Sequence, residues 1–297
     1  MTTPASPIDV LCVGHASYDL VFAVPRHPEA DEKIFADGLI ACGGGPAANA
    51  AVTVARLGYR AAFAGYLGLD AHGELHHAEL LREGVATGLI ARGASPTPLS
   101  TVLVKPDGRR ALVNYKGDTR PLPVDAIDFS TLLPKVVLFD GHEPELSAPL
   151  LAHGIPSVLD AGSLHRGTEA LMFAVDYLAC SEKFARQWLG EDDPQRALAA
   201  LAERSPAVVI TLGERGLIWR KDGESGALPA FRVEAVDTTG AGDAFHGGFA
   251  AGLAAGLDWP GLLRYASAAG ALCCERLGAR PGLPDLARLR GLLETQV

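Results

Sequence analysis

A single carboxylate lies inside a glycine-rich segment in the last third of the chain. The segment runs from Val236 to Phe245 and reads VDTTGAGDAF. Gly240 and Gly242 carry no side chain, so the backbone can turn sharply and present its N–H groups to an anion. A helix predicted from about Asp243 to Gly256 adds the positive end of its dipole at the same point. The segment therefore predicts a small anion cradle that contains one acid.

The chemistry expected of that acid is proton transfer. A carboxylate does not bind phosphate, but it can accept the proton of a hydroxyl that attacks a phosphoryl group. Asp243 is therefore the candidate general base. The residues alone leave one alternative, in which Asp243 is a first-turn acid that stabilises the helix dipole.

Two earlier features predict a second ligand in the same cleft. The segment GGGPAAN runs from Gly43 to Asn49 and opens an Ala-rich helix that closes at Gly58. An amide such as Asn49 needs a hydrogen-bond partner when it is buried, which a substrate or the core backbone would supply. Asp19 follows the short apolar run Val10–Gly14, and ligands of open α/β sheets bind beyond such strand ends. Asp19 is thus a candidate hydroxyl acceptor, with a turn-forming Asp as the alternative.

The elements that must position these residues read as alternating strands and helices. Short apolar runs at 61–67, 136–140, 157–160, 177–180 and 208–211 are separated by helix-like segments, which predicts a parallel sheet in an α/β fold. A further strand is predicted from Phe231 to Val236, directly before the glycine-rich segment. The turn from Thr211 to Gly216 follows a strand and is a candidate phosphate or ribose contact, or a simple β-turn.

Two segments outside this pattern predict a small accessory sheet. The runs 96–104 and 111–115 flank a turn with the sequence PDGR and form a hairpin, and residues 23–41 form a second excursion. We expect residues 23–41 and 98–116 to make a lid whose polar residues Lys33, Asn114 and Lys116 close over a substrate. Apart from this lid, we expect the whole chain, residues 1–297, to form a single domain.

Composition excludes several other functions. The 297 residues carry 26 Lys and Arg against 35 Asp and Glu, a formal charge of −9, which argues against nucleic acid as a partner. No apolar run approaches a membrane span. The five cysteines show no C-x-x-C spacing, so a cytoplasmic location is expected, and Met1–Asp9 shows no signal-peptide pattern.

Taken together, the two motifs resemble the two signatures of the ribokinase-like (PfkB) carbohydrate kinases. The Gly43–Asn49 segment is similar to the first signature, and Asp237–Phe245 to the second and more specific one. The resemblance covers essentially the whole chain. It implies a Rossmann-like three-layer α/β/α core with a small β-sheet lid, ATP-dependent phosphorylation of a sugar hydroxyl, and a homodimer formed through the lid.

The resemblance also implies roles for individual residues. Asp243 would be the base, and the backbone of Gly240, Ala241 and Gly242 the anion hole. Sugar hydroxyls would be held by Asp19, Gly43, Gly44 and Asn49. The nucleotide would be bordered by Thr211, Gly213, Gly216, Ala268 and Leu272. Asp237 and Thr239 match positions that bind a monovalent cation such as K⁺ in some members, and Mg²⁺ is expected with ATP.

Two departures from the family pattern bear on the substrate. Members often carry Asn-x-x-Glu where this chain has Ser181-Glu182-Lys183-Phe184, so these residues are not expected to organise Mg²⁺. Gly45-Pro46 stands where ribokinases usually have a lysine. The sequence Gly-Gly-Gly-Pro-Ala-Ala at 43–48 looks more like that of a subgroup that includes sulfofructose kinases. The alternatives are a nucleoside kinase, whose purine would contact Phe22 and Phe35, and a non-catalytic sugar or nucleotide sensor.

Overall fold

A computed structural model of the chain describes residues 7–296. Residues 1–6 and 297 lie outside it, so the expectation about a signal peptide in Met1–Asp9 falls mostly on residues that are not described. Within the described range, the strands are β1 (Val10–Val13), β2 (Ser17–Ala23), β3 (Gly38–Gly44), β4 (Ala61–Gly68), β5 (Ala86–Gly93), β6 (Leu99–Val104), β7 (Arg110–Tyr115), β8 (Val136–Phe139), β9 (Ser157–Ala161), β10 (Tyr177–Ser181), β11 (Ala207–Thr211), β12 (Leu217–Lys221) and β13 (Glu224–Leu228). The helices are α1 (Pro46–Arg56), α2 (Ala71–Arg82), α3 (Pro144–Leu151), α4 (Arg166–Leu171), α5 (Glu182–Leu189), α6 (Pro194–Ala202), α7 (Ala241–Ala254), α8 (Trp259–Cys273), α9 (Ala279–Gly282) and α10 (Leu286–Thr295).

Nine strands form one large, mostly parallel sheet. Its order is β13-β12-β11-β10-β9-β8-β1-β4-β5, and only β12 and β13 run antiparallel to their neighbours. The central strands are short apolar runs because both faces of the sheet are covered by helices. In β1, Val10 and Cys12 pack into one core layer while Leu11 and Val13 pack into the other. The predicted three-layer α/β/α core is confirmed.

Four strands form a separate small sheet in the order β3-β2-β6-β7. Strand β2 pairs antiparallel with β3 and parallel with β6, and β6 and β7 form an antiparallel hairpin. A small apolar cluster of Val21, Val102 and Val104 stabilises it. The hairpin lies where the sequence predicts it. Of the predicted segment 23–41, only the two ends belong to strands of this sheet, because residues 24–37 contain no strand.

Helix α7 is held between α1 and α8, and small residues set the spacing. A Cβ added at Gly247 would lie 2.7 Å from the carbonyl oxygen of Ala50, and one at Gly248 would lie 2.9 Å from the Cβ of Ala269. The backbones of the three helices therefore approach closely, and any larger side chain would push them apart. This packing fixes the start of α7 relative to α1.

Three local predictions need correction. Residues 231–236 form no strand; the N–H groups of Val236 and Asp237 instead bond the carbonyl of Cys274, because the segment crosses the helix layer rather than a sheet edge. Asp19 lies within β2 of the small sheet and not in a loop after β1. Gly43 and Gly44 end β3, so α1 begins only at Pro46.

Candidate active site

The start of α7 leaves backbone donors unpaired. Gly240 is the N-cap residue with φ 80°, a left-handed conformation that glycine adopts readily, and no side chain caps the helix. Among residues 7–296, no backbone acceptor bonds the N–H of Gly242 or Asp243, whereas the N–H of Ala241 bonds the carbonyl of Thr238 at 3.3 Å. A Cβ at Gly242 would meet nothing within 4 Å, so the space beside this residue is open. Such a helix start suits an anion.

Asp243 lies one turn into this helix start and is held by α1. Its Oδ2 accepts a hydrogen bond of 2.7 Å from Nδ2 of Asn49. Burial, followed by the negative charge of Asp160, raises the pKa of Asp243 to about 6, and the bond from Asn49 partly opposes this shift. A carboxylate with a pKa close to neutrality is suited to accept a proton at physiological pH.

A buried arginine that the sequence did not single out fixes Asn49. Arg280 is only 2% exposed, and its Nε and Nη2 lie 3.3 and 3.2 Å from Oδ1 of Asn49. Its Nη2 also lies 3.2 Å from Nε2 of His76, and its Nη1 lies 3.4 Å from the Glu79 carboxylate. Because the guanidinium occupies the amide oxygen, the Asn49 amide must present its NH₂ group to Asp243.

Asp19 is the second buried acid of the site. It is 6% exposed, and its Oδ1 accepts the hydroxyl of Ser17 at 2.8 Å. Burial raises the pKa of Asp19, while hydrogen bonds from Ser17 and Ser100 act in the opposite direction.

The paired glycines make room for side chains of the site. A Cβ at Gly44 would lie 2.1 Å from Oδ2 of Asp19, and one at Gly43 would lie 2.3 Å from the ring of His76. The absence of side chains at 43 and 44 therefore has a direct steric reason. Through these contacts, and through His76 and Arg280, the structure brings Asp19, Gly43, Gly44, Asn49 and Asp243 close together.

A second unpredicted pair lies beneath Asp243. The two ring nitrogens of His246 lie 2.6 Å from the carbonyl oxygen of Gly242 and 3.0 Å from that of Ala179. Both partners only accept hydrogen bonds, so both ring nitrogens must carry protons and the ring is an imidazolium. Oδ2 of Asp160 lies 3.1 Å from Nδ1 of this ring. Burial alone would lower the pKa of His246, but Asp160 outweighs it and the pKa is raised.

The loop after β11 and the glycine-rich segment face a common cavity. A cavity of about 750 Å³ is lined by Asp107, Gly108, Arg109, Arg110, Leu112, Glu214 and Thr238. Its volume falls within the range of small-molecule sites. Arg109 and Arg110 border this cavity, and Arg110 contacts the hydroxyl of Thr238.

Not all of the candidate nucleotide-binding residues are accessible to a nucleotide. Thr211 ends β11, and Gly213 starts a short 3₁₀ turn where a Cβ would meet nothing within 4 Å. Gly216 has φ +88°, and a Cβ there would lie 2.0 Å from the carbonyl oxygen of Leu228, so it packs against β13. Ala268 and Leu272 are buried in the core beside α7.

The two lid residues are exposed. Lys33 lies in the strand-free part of 24–37, and Asn114 lies in β7, whose residues are all exposed. Among the described residues, neither side chain forms a hydrogen bond with Asp19, Asn49 or Asp243.

The residues around Asp237 fit a monovalent cation. Asp237 is fully buried; its Oδ1 accepts the N–H and hydroxyl of Thr239 at 2.9 and 2.7 Å, and its Oδ2 accepts the N–H of Gly278 at 2.8 Å. Within 7–296 no Lys or Arg forms a salt bridge with this carboxylate, so its charge is met by neutral donors alone. The lone pairs of the Thr239 hydroxyl lie beside it as further oxygen ligands.

The residues at 181–184 do not fit Mg²⁺. Oγ of Ser181 accepts the N–H of Phe184 and donates to the carbonyl of Gly162, so it is occupied as the cap of α5. Glu182 is paired with Arg215. The departure from Asn-x-x-Glu in the sequence is therefore matched by side chains committed to other contacts.

Comparisons with known proteins agree with this architecture. The family model described as "pfkB family carbohydrate kinase" matches residues 7–286. The ribokinase of Bacillus subtilis is 29% identical over 96% of this chain and 99% of its own length. An ATP-dependent ribose-1-phosphate kinase of Halopiger xanaduensis is 31% identical over 92% of this chain and 94% of its own. The structure of Arabidopsis thaliana ribokinase complexed with ribose and ATP has a TM-score of 0.82 at 27% identity, covering 97% and 99% of the two chains. In the described part of the chain, no helix has the length and apolar character needed to cross a membrane.

Proposed function

The chain belongs to the pfkB family of carbohydrate kinases, and on that premise we propose that it transfers the γ-phosphoryl group of ATP to a hydroxyl of a sugar or sugar-like acceptor. One observation carries the proposal. A carboxylate with a raised pKa, Asp243, lies at a helix start where the Gly242 N–H has no backbone acceptor among residues 7–296 and the space beside Gly242 is open. The whole chain, 1–297, is then one kinase domain with a lid at 23–41 and 98–116.

In this mechanism Asp243 accepts the proton of the acceptor hydroxyl. The hydroxyl oxygen bonds the γ-phosphorus as the bond from that phosphorus to the β-phosphate oxygen breaks, and ADP leaves. The N–H groups at Gly240, Ala241 and Gly242 stabilise the charge of the transferring group, with Gly242 best placed because its N–H has no backbone acceptor among residues 7–296. Little covalent chemistry is required of the protein beyond positioning.

The buried network sets the protonation of the base. Asn49 donates to Asp243, which favours the carboxylate form, while burial and Asp160 favour the protonated form. The imidazolium of His246 offsets the charge of Asp160. These opposed effects leave Asp243 ionised at neutral pH yet basic enough to take a proton.

Acceptor and nucleotide lie on opposite sides of Asp243 in this proposal. Asp19, Asn49 and the backbone at Gly43 and Gly44 bind acceptor hydroxyls, with Lys33 and Asn114 closing over them when the lid moves. The nucleotide occupies the cavity beside Thr238 and Glu214, where Arg109 and Arg110 match the charge of a triphosphate. The loop 211–216 borders it, while Ala268 and Leu272 support it from the core.

Two cations complete the proposal. Asp237 and Thr239 would hold a monovalent cation such as K⁺, which would stabilise the loop that leads into Gly240. Mg²⁺ would neutralise the phosphates of ATP. Because residues 181–184 do not fit Mg²⁺, no step of the mechanism is assigned to a protein-bound magnesium ion.

The small sheet also offers a surface for a second copy of the chain. Its edge strand β7 exposes apolar side chains, including Val113 at 70% and Tyr115 at 60% exposure. Contiguous exposed apolar residues are typical of an interface. We expect a homodimer through this sheet, and light scattering should show it dissociate in Val113→Lys.

A cytoplasmic location remains a prediction, supported by five free thiols.

The proposed reaction is tested by an acceptor screen. The purified protein is incubated with ATP, Mg²⁺ and, in turn, free sugars, sugar phosphates and nucleosides, and ADP release is measured. Stimulation by a sugar-type acceptor supports the proposal. Stimulation by nucleosides alone would favour the nucleoside kinase, and ATP binding with no stimulation by any acceptor would favour a non-catalytic sensor.

A further inference from the structure

Three histidines form a column at the carboxyl-terminal edge of the large sheet. His15 follows β1, His142 follows β8, and His165 follows β9. The ring centroids of His15 and His142 are 4.8 Å apart, and those of His142 and His165 are also 4.8 Å apart. All three histidines are partly exposed.

The column has hydrogen-bonding atoms to spare. Within residues 7–296, no protein hydrogen bond reaches a ring nitrogen of His15 or His142. Nδ1 of His165 accepts the N–H of Gly167 at 3.3 Å, which leaves its Nε2 as a free donor. Three ring edges that each offer an N–H are suited to a ligand with several acceptor oxygens.

A metal ion is a poor fit for this column. His142 and His165 stack with an interplanar angle of 18°, and imidazole binds metals in its own plane, so these two rings cannot converge on one ion. No group of three metal-binding side chains is found in the described part of the chain.

The charges around the column favour an anion. Burial lowers the pKa of both His15 and His165, and the nearby His142 and Lys116 lower it further. The acids of the same region are already occupied. Asp140 accepts the N–H groups of His15, His142 and Ala47. Burial raises the pKa of Glu143 to about 7, so this acid is partly protonated at neutral pH. Lys116 forms no salt bridge within residues 7–296, so its charge is available to an anion.

The column is also close to the proposed site of phosphoryl transfer. Asp140, which bonds the backbone of two of the histidines, also bonds the N–H of Ala47 in the first turn of α1. Ala47 precedes Asn49 by two residues, a rise of about 3 Å along the helix axis. Asn49 contacts Asp243. These contacts tie the loops that carry His15 and His142 to the helix that carries Asn49.

We propose that His15, His142 and His165, together with Lys116, bind an oxyanion of the acceptor, a phosphate or a carboxylate, while Asp243 serves a hydroxyl of the same molecule. The inference rests on the proposed kinase reaction and narrows its acceptor to an anionic sugar. It also predicts that the affinity for an anionic acceptor depends on pH. The pKa values of His15 and His165 are lowered, so both imidazoles are neutral near pH 7, and their protonation strengthens anion binding as pH falls.

The first test uses inorganic sulfate, which stays a dianion across the relevant pH range. Sulfate is titrated into uniformly ¹⁵N-labelled protein, and the histidine ring and backbone amide resonances are followed by NMR at about pH 6 and about pH 8. We expect the NMR resonances of the three histidine rings to shift on addition of sulfate. Where sulfate binding is accompanied by the uptake of one proton, its affinity should rise about tenfold for each pH unit by which the pH is lowered. His142→Gln and Lys116→Met should each weaken binding; Lys116 is exposed, so its substitution does not threaten the fold. His153→Gln, an exposed residue beyond α3, is the control. Shifts confined to the amides of Gly240–Gly242 would overturn the proposal.

The second test measures KM for a neutral sugar, its phosphate and the corresponding sugar acid. We expect an anionic acceptor to be preferred, and its KM to rise at least about tenfold in His142→Gln, the loss expected when one charge-assisted hydrogen bond is removed. Equal use of the neutral sugar, with no effect of His142→Gln, would overturn the inference and leave the kinase proposal standing. Absence of transfer to every acceptor would overturn the kinase proposal, while the sulfate titration still decides whether the column binds anions.

Discussion

Replacing Asn49 by alanine should raise the pH at which the protein becomes active. Asn49 donates a 2.7 Å hydrogen bond to Oδ2 of Asp243. That bond stabilises the ionised form of the acid and lowers its pKa, against the burial and the charge of Asp160 that raise it to about 6. When the donor is removed, the effects that raise the pKa are opposed only by the imidazolium of His246.

The magnitude follows from the strength of the lost bond. A hydrogen bond to a charged group is worth about 1.5–3 kcal/mol, and one pKa unit corresponds to about 1.36 kcal/mol. The pKa of Asp243 should therefore rise by about 1–2 units in Asn49→Ala. The acid limb of kcat/KM, which reports the free protein, should move from about pH 6 to about pH 7–8.

The assay is kcat/KM for the best acceptor from the screen, measured across pH by ADP release. Thr53→Val is the matched control, because Thr53 lies one turn further along α1 and bonds only the backbone of Asn49. Its acid limb should stay in place. Because Arg280 loses its acceptor in Asn49→Ala, thermal unfolding is recorded for each variant to confirm that the fold persists. An acid limb in Asn49→Ala that stays in place or moves to lower pH would refute the role given to this amide.

Two further substitutions test neighbouring parts of the site. Asp160→Asn removes a negative charge that raises the pKa of Asp243, so the acid limb should move to lower pH; a limb that rises or does not move would contradict the electrostatic account. Gly44→Ala places a Cβ 2.1 Å from Oδ2 of Asp19, and overpacking of this kind should lower the free energy of unfolding by about 1–3 kcal/mol. In the control Gly38→Ala, also in β3, the new Cβ lies 3.7 Å from its nearest neighbour, and denaturant unfolding should show a smaller loss. Equal losses in the two variants would argue against a steric reason for Gly44.

The parts of the fold that the sequence predicted are those with a strong local pattern. Strands buried on both faces read as short apolar runs, so β1 and β8 are evident from their composition. Residues 231–236 (FRVEAV) are also β-prone but form no strand, because a strand needs a neighbouring edge with which to pair. Strand β5, whose residues are mostly half-buried, has no clear pattern and was not predicted.

In the candidate site, too, only the residues in segments with a clear local pattern could be predicted from the sequence. Asp243 and Asn49 stand in segments whose glycine pattern is visible in the sequence. Arg280 lies in a Pro/Gly-rich segment and resembles a surface arginine there. Its partners Asn49 and His76 are 231 and 204 positions away. His246 lies on a helix that reads as core, and only the carbonyl oxygens on both sides of its ring reveal its charge. Contacts of this kind depend on the folded chain and leave no local signature.

The central claim is that Asp243 is the base of phosphoryl transfer, and Asp243→Asn tests it most directly. Single-turnover transfer from ATP to the best acceptor is measured in parallel with ATP binding by calorimetry and with thermal unfolding, using the exposed Asp222→Asn as control. We expect transfer to fall by about 10²–10⁴-fold, the usual contribution of a general base, with ATP affinity and stability nearly unchanged. Transfer at close to the wild-type rate in Asp243→Asn would contradict the account.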